Sequence, residues 1–259
     1  MRLFAPDEPD FNEGVEELAK LLSSARRVAF LTGAGISTDS GIPDFRSSTG
    51  LYQTTSEELF SIDAFRADPE RFYRAFASFY AKIADARPNP GHLAIANLEN
   101  RLGKKVDVVT QNVDGLHSAA GSTNVAEIHG TLRTASCLEC EKRYARDYFE
   151  TDLREGRAPR CACGGVLKPD VTFFGEELPA GEFAKARRAM WDARLLLVVG
   201  TSLQVYPAAG LPRDCDAGAP FVSINLTPTA LDPQAALVFR APIIDVLPRA
   251  VALTSPEAP

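Results

Sequence analysis

Short apolar runs, each closed by a glycine or polar turn, are the feature that most constrains how this chain can fold. They recur at residues 26–32, 106–109, 195–199 and 221–224, and helical patterns lie between them. Strands that are apolar on both faces suit a parallel sheet that is covered on both sides. The alternation therefore predicts an α/β fold with a Rossmann-like, doubly wound parallel sheet.

Two stretches, 44–89 and 131–168, are too long to be ordinary connections in such a sheet. We expect them to form together a smaller domain, made of a helical insertion and a cysteine module. The sheet domain is then discontinuous and takes in residues 1–43, 90–130 and 169–259. Helical spacing of apolar residues predicts helices at 13–24, 69–84, 91–101 and 184–192.

Charge and hydropathy narrow the class of protein. The 28 basic and 34 acidic residues give a formal net charge of -6, which argues against nucleic acid or an anionic membrane as a partner. No apolar run approaches the roughly 20 residues of a membrane-spanning helix. The acidic start, MRLFAPDEPDFNEG, lacks the features of a secretory signal. We therefore expect a soluble, cytoplasmic protein.

A glycine-rich turn follows the first of these strands. Gly33 and Gly35 permit a tight turn and close approach of the backbone to a pyrophosphate, and the start of a following helix would add N–H groups. The usual dinucleotide-binding pattern has a third glycine where this chain has Thr38, so the turn alone is a weak signal. Segment 44–46 adds a carboxylate, an aromatic ring and a guanidinium, which suit the enclosure of a ligand. An ordinary Gly/Pro connection with incidental charge is the alternative.

Polar side chains follow three further predicted strands. Gln111, Asn112 and Asp114 offer amide and carboxylate groups that can hydrogen-bond ribose hydroxyls or a carboxamide. The small residues of segment 200–202 suit a phosphate, and Asn225 follows the next strand. Because open α/β sheets bind ligands at the carboxyl ends of their strands, these residues predict a binding site at that edge.

Four of the five cysteines fall in one short segment, which points to a metal rather than to disulfides. Cys137 and Cys140 form one pair, and Cys161 and Cys163 form the other. Two such pairs fit a tetrahedral zinc site, and four thiolates leave no open position for substrate, so the zinc would be structural. The second pair has one spacer residue, which leaves full occupancy open. Cys215 is interpreted as an isolated thiol in a helix or loop.

The chain has three histidines. His92 opens a predicted helix and is expected to be a surface or capping residue, and His117 lies in the turn after Asp114, where it can orient that loop. His129 follows a strand-like run and precedes Gly130, which places an imidazole at a strand end. Its ordinary pKa near ~6.5 suits a general base, although a structural role stays open at this point.

Taken together and in this order, these motifs closely resemble the sirtuin family of NAD-dependent protein deacylases, over about residues 28–247. The segments that carry the resemblance are GAGISTDSGIPDFR, TQNVDGLH, IHG, the paired cysteines, KPDVTFFGE and GTSL. The resemblance implies a Rossmann-type NAD-binding domain, a small domain with structural Zn²⁺, and a cleft between them for NAD and an acetylated-lysine protein or peptide.

The resemblance also implies roles for individual residues. The cofactor-binding residues would be Gly33, Ala34, Gly35, Thr38, Ile42, Asp44, Phe45, Arg46, Gln111, Asn112, Val113, Asp114, Gly200, Thr201, Ser202, Asn225, Leu226 and Ile243. The catalytic residues would be His129 and Asn112, the substrate-binding residues Val171, Phe173, Phe174 and Gly175, and the zinc ligands Cys137, Cys140, Cys161 and Cys163. For Phe173, a place in the hydrophobic core is the alternative.

In the chemistry that the resemblance implies, the acyl oxygen of the substrate attacks C1′ of the nicotinamide ribose and nicotinamide leaves. A histidine, here His129, then deprotonates a ribose hydroxyl. Phe45 is expected to shield the reacting face from water, and Arg46 to order the loop above the cofactor.

Two departures from the family pattern bear on specificity. Ile243 stands where family members often have a small residue near the adenine. The Tyr-x-x-Arg pair of members that prefer succinyl-lysine is incomplete, because Tyr80 is followed by Ile83. An apolar residue leaves a dicarboxylic acyl group without a counter-charge, so we expect acetyl or another neutral group.

Three other functions stay open from the sequence: a protein ADP-ribosyltransferase, a deacylase for longer neutral acyl groups, and an NAD-sensing module without turnover. The target protein and the oligomeric state are also left open.

Overall fold

The computed structural model describes residues 1–216 and 218–254. The strands are β1 (Arg2–Phe4), β2 (Arg27–Thr32), β3 (Lys105–Thr110), β4 (Val125–Glu127), β5 (Gly130–Cys137), β6 (Arg143–Ala145), β7 (Leu167–Val171), β8 (Leu195–Val199), β9 (Phe221–Ile224) and β10 (Leu237–Phe239). The α-helices are α1 (Phe11–Ser24), α2 (Ile62–Ala67), α3 (Pro69–Asp85), α4 (Pro90–Asn100), α5 (Leu116–Ala119), α6 (Arg146–Glu155), α7 (Ala180–Asp192) and α8 (Ile243–Leu253). Short 3-10 helices span Ala34–Ile36, Thr38–Ser40, Leu51–Gln53, Glu57–Phe60, Ala208–Asp214 and Asp232–Gln234.

The larger sheet has seven strands in the order β1-β10-β9-β8-β2-β3-β4, and its neighbouring strands pair in parallel. From β2 the chain builds outward to β3 and β4, and it later adds β8, β9 and β10 on the other side of β2. The strand order therefore reverses between β2 and β8, which is the point at which doubly wound sheets bind their ligands.

Both faces of this sheet are covered. Val28 and Phe30 of β2 belong to a core with α1, α4 and α8, whereas Ala29 and Leu31 belong to a second core with α7. Because successive side chains of a strand point to opposite faces, this division confirms the prediction of a parallel sheet buried on both sides.

A second, three-stranded antiparallel sheet has the order β6-β5-β7. Its core joins the two long stretches, since Phe72 and Phe76 of α3 pack in one cluster with Leu132 of β5 and Phe149 of α6. The hydroxyl of Tyr73 donates to the carbonyl of Leu167 at 2.5 Å and ties the helix to β7.

The two-domain boundaries given above stay a prediction, and β7 runs across the boundary placed at residue 169. Ala217 and residues 255–259, which that prediction assigns to the sheet domain, lie outside the described residues. Among the residues that the structure describes, no helix combines the length and the apolar character that crossing a bilayer requires.

Candidate active site

Two glycine-containing turns meet at the point where the strand order reverses. The N–H of Gly35, after β2, donates to the carbonyl of Gly200, after β8, at 2.8 Å. A Cβ atom on Gly35 would lie 2.8 Å from the Cα of Gly200, so a larger residue would separate the two turns. Glycine is required here for the close approach of two backbones, which also leaves room for a phosphate group.

The chain after Gly33 does not continue as the regular helix that the sequence predicts. It forms two 3-10 turns, Ala34–Ile36 and Thr38–Ser40, and Gly41 ends them with a positive φ of 86°. The prediction of a regular helix start at this point is therefore wrong, and pyrophosphate binding by the turn stays a prediction. The physical reason is that the segment folds inward against the turn after β8 and has no long apolar face to support a helix.

A cleft of about 1260 Å³ opens from these turns and extends to the smaller sheet. Each cofactor, catalytic and substrate residue predicted from the sequence lines this cleft. They are Gly33, Ala34, Gly35, Thr38, Ile42, Asp44, Phe45, Arg46, Gln111, Asn112, Val113, Asp114, His129, Val171, Phe173, Phe174, Gly175, Gly200, Thr201, Ser202, Asn225, Leu226 and Ile243. Its volume is large enough for a dinucleotide together with part of a second ligand.

A partly buried hydrogen-bond network lies beside the first turn. The hydroxyl of Ser37 donates to Oδ2 of Asp114 at 2.7 Å and accepts from the Asn112 amide at 3.0 Å. The N–H of Leu116 donates to the other oxygen of Asp114 at 2.9 Å. Burial raises the pKa of Asp114, and these hydrogen bonds act against that rise. Ser37 was not among the predicted site residues, although it lies within the glycine-rich motif.

His92 and His117 are both buried at this network. His92 caps α4 in a capping box with Asn89, which confirms a capping role, but the expectation of a surface position is wrong because its ring packs 4.9 Å from that of His117. The Nε2 atom of His117 is 2.9 Å from the hydroxyl of Thr32. Burial lowers the pKa of His92 to about 4 and that of His117 well below its usual value, so both rings are neutral.

His129 lies between β4 and β5, where it lines the cleft. Its Nδ1 is 3.0 Å from the backbone oxygen of Gln111. A carbonyl only accepts hydrogen bonds, so Nδ1 carries the proton of the neutral ring and Nε2 keeps a lone pair. Burial lowers the pKa of His129, and the hydrogen bond to Gln111 acts in the opposite direction. The ring is therefore held as a neutral base.

The lowered pKa of His129 predicts the pH dependence of turnover. The base must be unprotonated to act, and a folded-state pKa below 6.5 keeps it so at mildly acidic pH. We expect the acidic limb of kcat to have its midpoint below pH 6.5, as measured by steady-state assays in buffers of constant ionic strength. A midpoint above pH 7 would contradict this assignment of the base.

The loop at 44–46 closes one side of the cleft. Arg46 forms an ion pair with Glu57 at 2.8 Å, and its guanidinium lies 5.2 Å from the centre of the Tyr52 ring. The Phe45 ring packs 5.4 Å from Tyr52 and 5.8 Å from Phe79. These contacts hold the loop against the rest of the protein, and the role of Arg46 in ordering the loop above the cofactor stays a prediction.

The part of the cleft next to the smaller sheet is apolar, and of its residues only Ile83 was singled out from the sequence. The lining side chains there are Phe60, Phe72, Phe76, Phe79, Ile83 and Leu132. Tyr80 lies on another face of α3, fully buried, with the guanidinium of Arg146 5.5 Å from its ring. Of the lysine and arginine side chains in the described residues, Arg46 alone lines the cleft.

Residues 171–175 were expected to pair with a substrate backbone. The strand β7 ends at Val171, and the next three N–H groups are already bonded within the protein. Thr172 donates to the carbonyl of His129 at 2.9 Å, Phe173 to Glu176 at 2.8 Å, and Phe174 to the carbonyl of Phe60 at 2.9 Å. The ring of Phe173 is buried in the aromatic core, whereas Phe174 is 40% exposed.

The four clustered cysteines converge at the far end of β5. Their Sγ atoms all lie within 4.8 Å of one another, and Cys137 to Cys163 and Cys140 to Cys161 are each 3.5 Å apart. Tetrahedral zinc, with Zn–S bonds near 2.3 Å, sets its sulfurs about 3.8 Å apart, so the cluster fits this ion. The single spacer between Cys161 and Cys163 does not prevent this geometry. Cys215 lies elsewhere, half-buried after the 3-10 helix Ala208–Asp214.

Comparison with known proteins agrees with this geometry. An NAD-dependent protein deacetylase of Chromobacterium violaceum is 45% identical over 237 residues, covering 89% of this chain and 94% of the relative. An NAD-dependent protein deacylase of Thermus thermophilus is 44% identical and covers 95% of this chain and 96% of its own.

Solved structures of other proteins are also similar to this chain. A Sir2 structure with a p53 peptide and NAD⁺ superposes with a TM-score of 0.83 at 37% identity, covering 92% of this chain and 97% of the other. A Sir2 structure bound to acetylated peptide gives a TM-score of 0.81 at 37% identity, with the same coverage. The model of the Sir2 family matches residues 33–207. The chain therefore belongs to the Sir2 family, the sirtuins, as its motifs predicted.

Proposed function

We propose that this chain is an NAD-dependent protein-lysine deacetylase, which transfers the acetyl group of lysine to ADP-ribose and releases nicotinamide. The observation that carries the proposal is one cleft that joins the crossed glycine turns, the neutral His129 ring and an apolar pocket. The curated relatives described above carry the names deacetylase and deacylase, which support the same chemistry.

The cofactor, substrate and zinc residues predicted from the sequence are retained in this proposal, together with the two domains. The cleft lining supports the first two groups, and the sulfur cluster supports the third. We also propose a cytoplasmic location, since clustered thiols suited to a metal are typical of a reducing compartment.

Bound NAD supplies a glycosidic bond whose cleavage lets the ribose accept the acyl oxygen. The backbone oxygen of Gln111 fixes the Nδ1 proton of His129, so that Nε2 is the atom that accepts a proton from a ribose hydroxyl. The Asn112 amide is held by Gly33 and Ser37 at the floor of the cleft. Phe45 and its aromatic neighbours exclude water from the reacting face.

The direct test is incubation of the zinc-loaded protein with an acetylated peptide and labelled NAD. We expect free nicotinamide, deacetylated peptide and acetylated ADP-ribose in equal amounts. A protein ADP-ribosyltransferase, the second candidate, would instead add the mass of ADP-ribose to the acceptor. Mass spectrometry of the peptide separates the two activities, and the absence of both would contradict the proposal.

The apolar pocket predicts a preference for neutral acyl groups. Burying a carboxylate without a cation costs several kcal/mol, and Arg46 already pairs with Glu57. We expect kcat/KM for a succinyl-lysine peptide to be at least about 100-fold below that for its butyryl-lysine counterpart, which has nearly the same size. Equal values for the two peptides would contradict the assigned pocket.

Removal of longer neutral acyl groups from lysine is a specific extension of this proposal. The pocket is lined by aromatic side chains that include Phe72, Phe76 and Phe79, and each added methylene buried there contributes about 0.8 kcal/mol. The same assay with a series of straight-chain acyl peptides measures how far the pocket extends, through the chain length at which KM stops falling.

A further inference from the structure

The turn that follows β7 is held by a partly buried ion pair that the proposed chemistry does not use. The ammonium of Lys168 lies 2.8 Å from Oε2 of Glu176, and the two side chains are 10% and 27% exposed. Both residues lie in the motif KPDVTFFGE, at its first and last positions. Ion pairs this far from water need further hydrogen bonds to be stable.

Lys168 meets that requirement with backbone partners. Its ammonium donates to the carbonyl of Val171 at 2.7 Å and to that of Pro169 at 3.3 Å, in addition to Glu176. These acceptors match the three protons of an ammonium group. The nitrogen also lies 4.4 Å from the centre of the Phe173 ring, so one side chain contacts the strand end and the turn.

Glu176 closes the turn from its other end. Its carboxylate accepts from the N–H of Phe173 at 2.8 Å, and its own N–H donates to the Phe173 carbonyl at 3.0 Å. The segment from Phe173 to Glu176 is therefore fixed by its backbone and by the ion pair. The residues between them, Phe174 and Gly175, stay exposed on the cleft side.

Neighbouring charges are not placed to replace this pair. Lys168 and Glu176 also border a second cavity of about 450 Å³, which is lined by further charged groups. There Arg143 pairs with Asp170 at 2.7 Å, and Arg133 pairs with Glu127. Removal of either member of the Lys168–Glu176 pair therefore leaves an uncompensated charge at the base of the turn.

We propose that Lys168 and Glu176 are positioning residues for the peptide, because their ion pair fixes the turn that presents Phe174 and Gly175 to the substrate. This inference rests on the proposed function, in which residues 171–175 contact the peptide. The Lys168–Glu176 pair is assigned to peptide binding and not to NAD binding. Its contacts are with β7 and the following turn, and not with the glycine turns of the cofactor site.

Steady-state kinetics of the full-length, zinc-loaded protein test the proposal. We expect Lys168→Met and Glu176→Gln each to raise the peptide KM about tenfold, with kcat and the NAD KM changed less than about twofold. Lys168→Arg keeps the charge but not the compact ammonium, so its peptide KM is expected to lie between that of wild type and that of Lys168→Met. An unchanged peptide KM in both charge-removing variants would overturn the proposal.

Arg27→Met is the matched control. Arg27 pairs with the buried Asp107 at 2.8 Å at the amino ends of β2 and β3, on the opposite edge of the sheet from the cleft. We expect this variant to lower the melting temperature and to leave the peptide KM unchanged. If Arg27→Met and Lys168→Met alter KM and kcat alike, the pair serves stability alone. If Lys168→Met does not fold, the peptide KM of Glu176→Gln alone decides whether the proposal holds.

Binding of a fluorescent acetylated peptide, measured by anisotropy, separates the two proposals. A wild-type protein that binds the peptide without releasing nicotinamide would contradict the proposed function, and the weaker binding expected for Lys168→Met would still support the positioning role. A wild-type protein that binds no peptide would overturn both.

Discussion

Replacement of His129 by alanine is expected to slow formation of acetylated ADP-ribose by about 100- to 10,000-fold, while the affinity for NAD changes less than about threefold. The reason is the fixed tautomer of the ring, whose Nδ1 proton is bonded to Gln111 and whose Nε2 is the proton acceptor in the proposed mechanism. The other two histidines do not replace it. His92 and His117 are buried against Ser37 and Thr32, and burial keeps both pKa values low.

His129→Gln is the control for lost contacts. Glutamine retains an amide N–H for the Gln111 carbonyl but does not accept a proton near neutral pH, so we expect it to be as inactive as alanine. Calorimetry measures NAD binding, and thermal melting shows whether both variants are folded. A loss of less than about tenfold in either folded variant would assign the base to another residue.

The sheet was predictable because its signal is local. A buried parallel strand such as Leu195–Val199 is apolar at each position, and both of its ends agree with the prediction. The strands β1 and β10 have three residues each, too few to show a period. β1 forms one edge of the sheet, and it pairs with β10 across more than 230 residues. β5 and β7 pair with each other in the smaller sheet, and no local sequence pattern encodes this pairing.

Some residues of the candidate site were likewise predictable from the sequence, and others were not. Gln111 and Asn225 were identifiable because polar residues directly follow apolar strands, and the topology brings such positions to one edge. Ser37 and the Lys168–Glu176 pair were not identified, because their importance depends on partners brought close only by the fold or by a tight turn. The burial of His92 likewise follows from the packing of α4 on the first glycine turn, which its position at a helix start does not reveal.

The cysteine cluster and the proposed catalytic base lie at the two ends of one strand. Gly130, directly after His129, begins β5, and Cys137 ends it. The same strand pairs with β7, which leads into the turn held by Lys168 and Glu176. An extended eight-residue strand spans about 27 Å, so zinc at its far end would act on the chemistry only through the rigidity of this small sheet.

Loss of the zinc site is therefore expected to abolish activity without removing any group from the cleft. Cys140→Ala is the informative variant, because Cys140 is exposed and its removal costs little packing. Structural zinc sites contribute about 10–16 kcal/mol to the folding of small domains. We expect zinc content to fall from one ion per chain to almost none, deacetylation to fall at least about 100-fold, and the melting temperature to drop.

Cys215→Ala is the matched control, since it also removes one thiol but lies outside the cluster. We expect it to keep its zinc and its activity. Metal content by atomic emission and turnover on one acetylated peptide provide the comparison. A zinc-free Cys140→Ala protein with wild-type turnover would show that β5 holds His129 in place without the metal, and the cluster would then have no part in organising the active site.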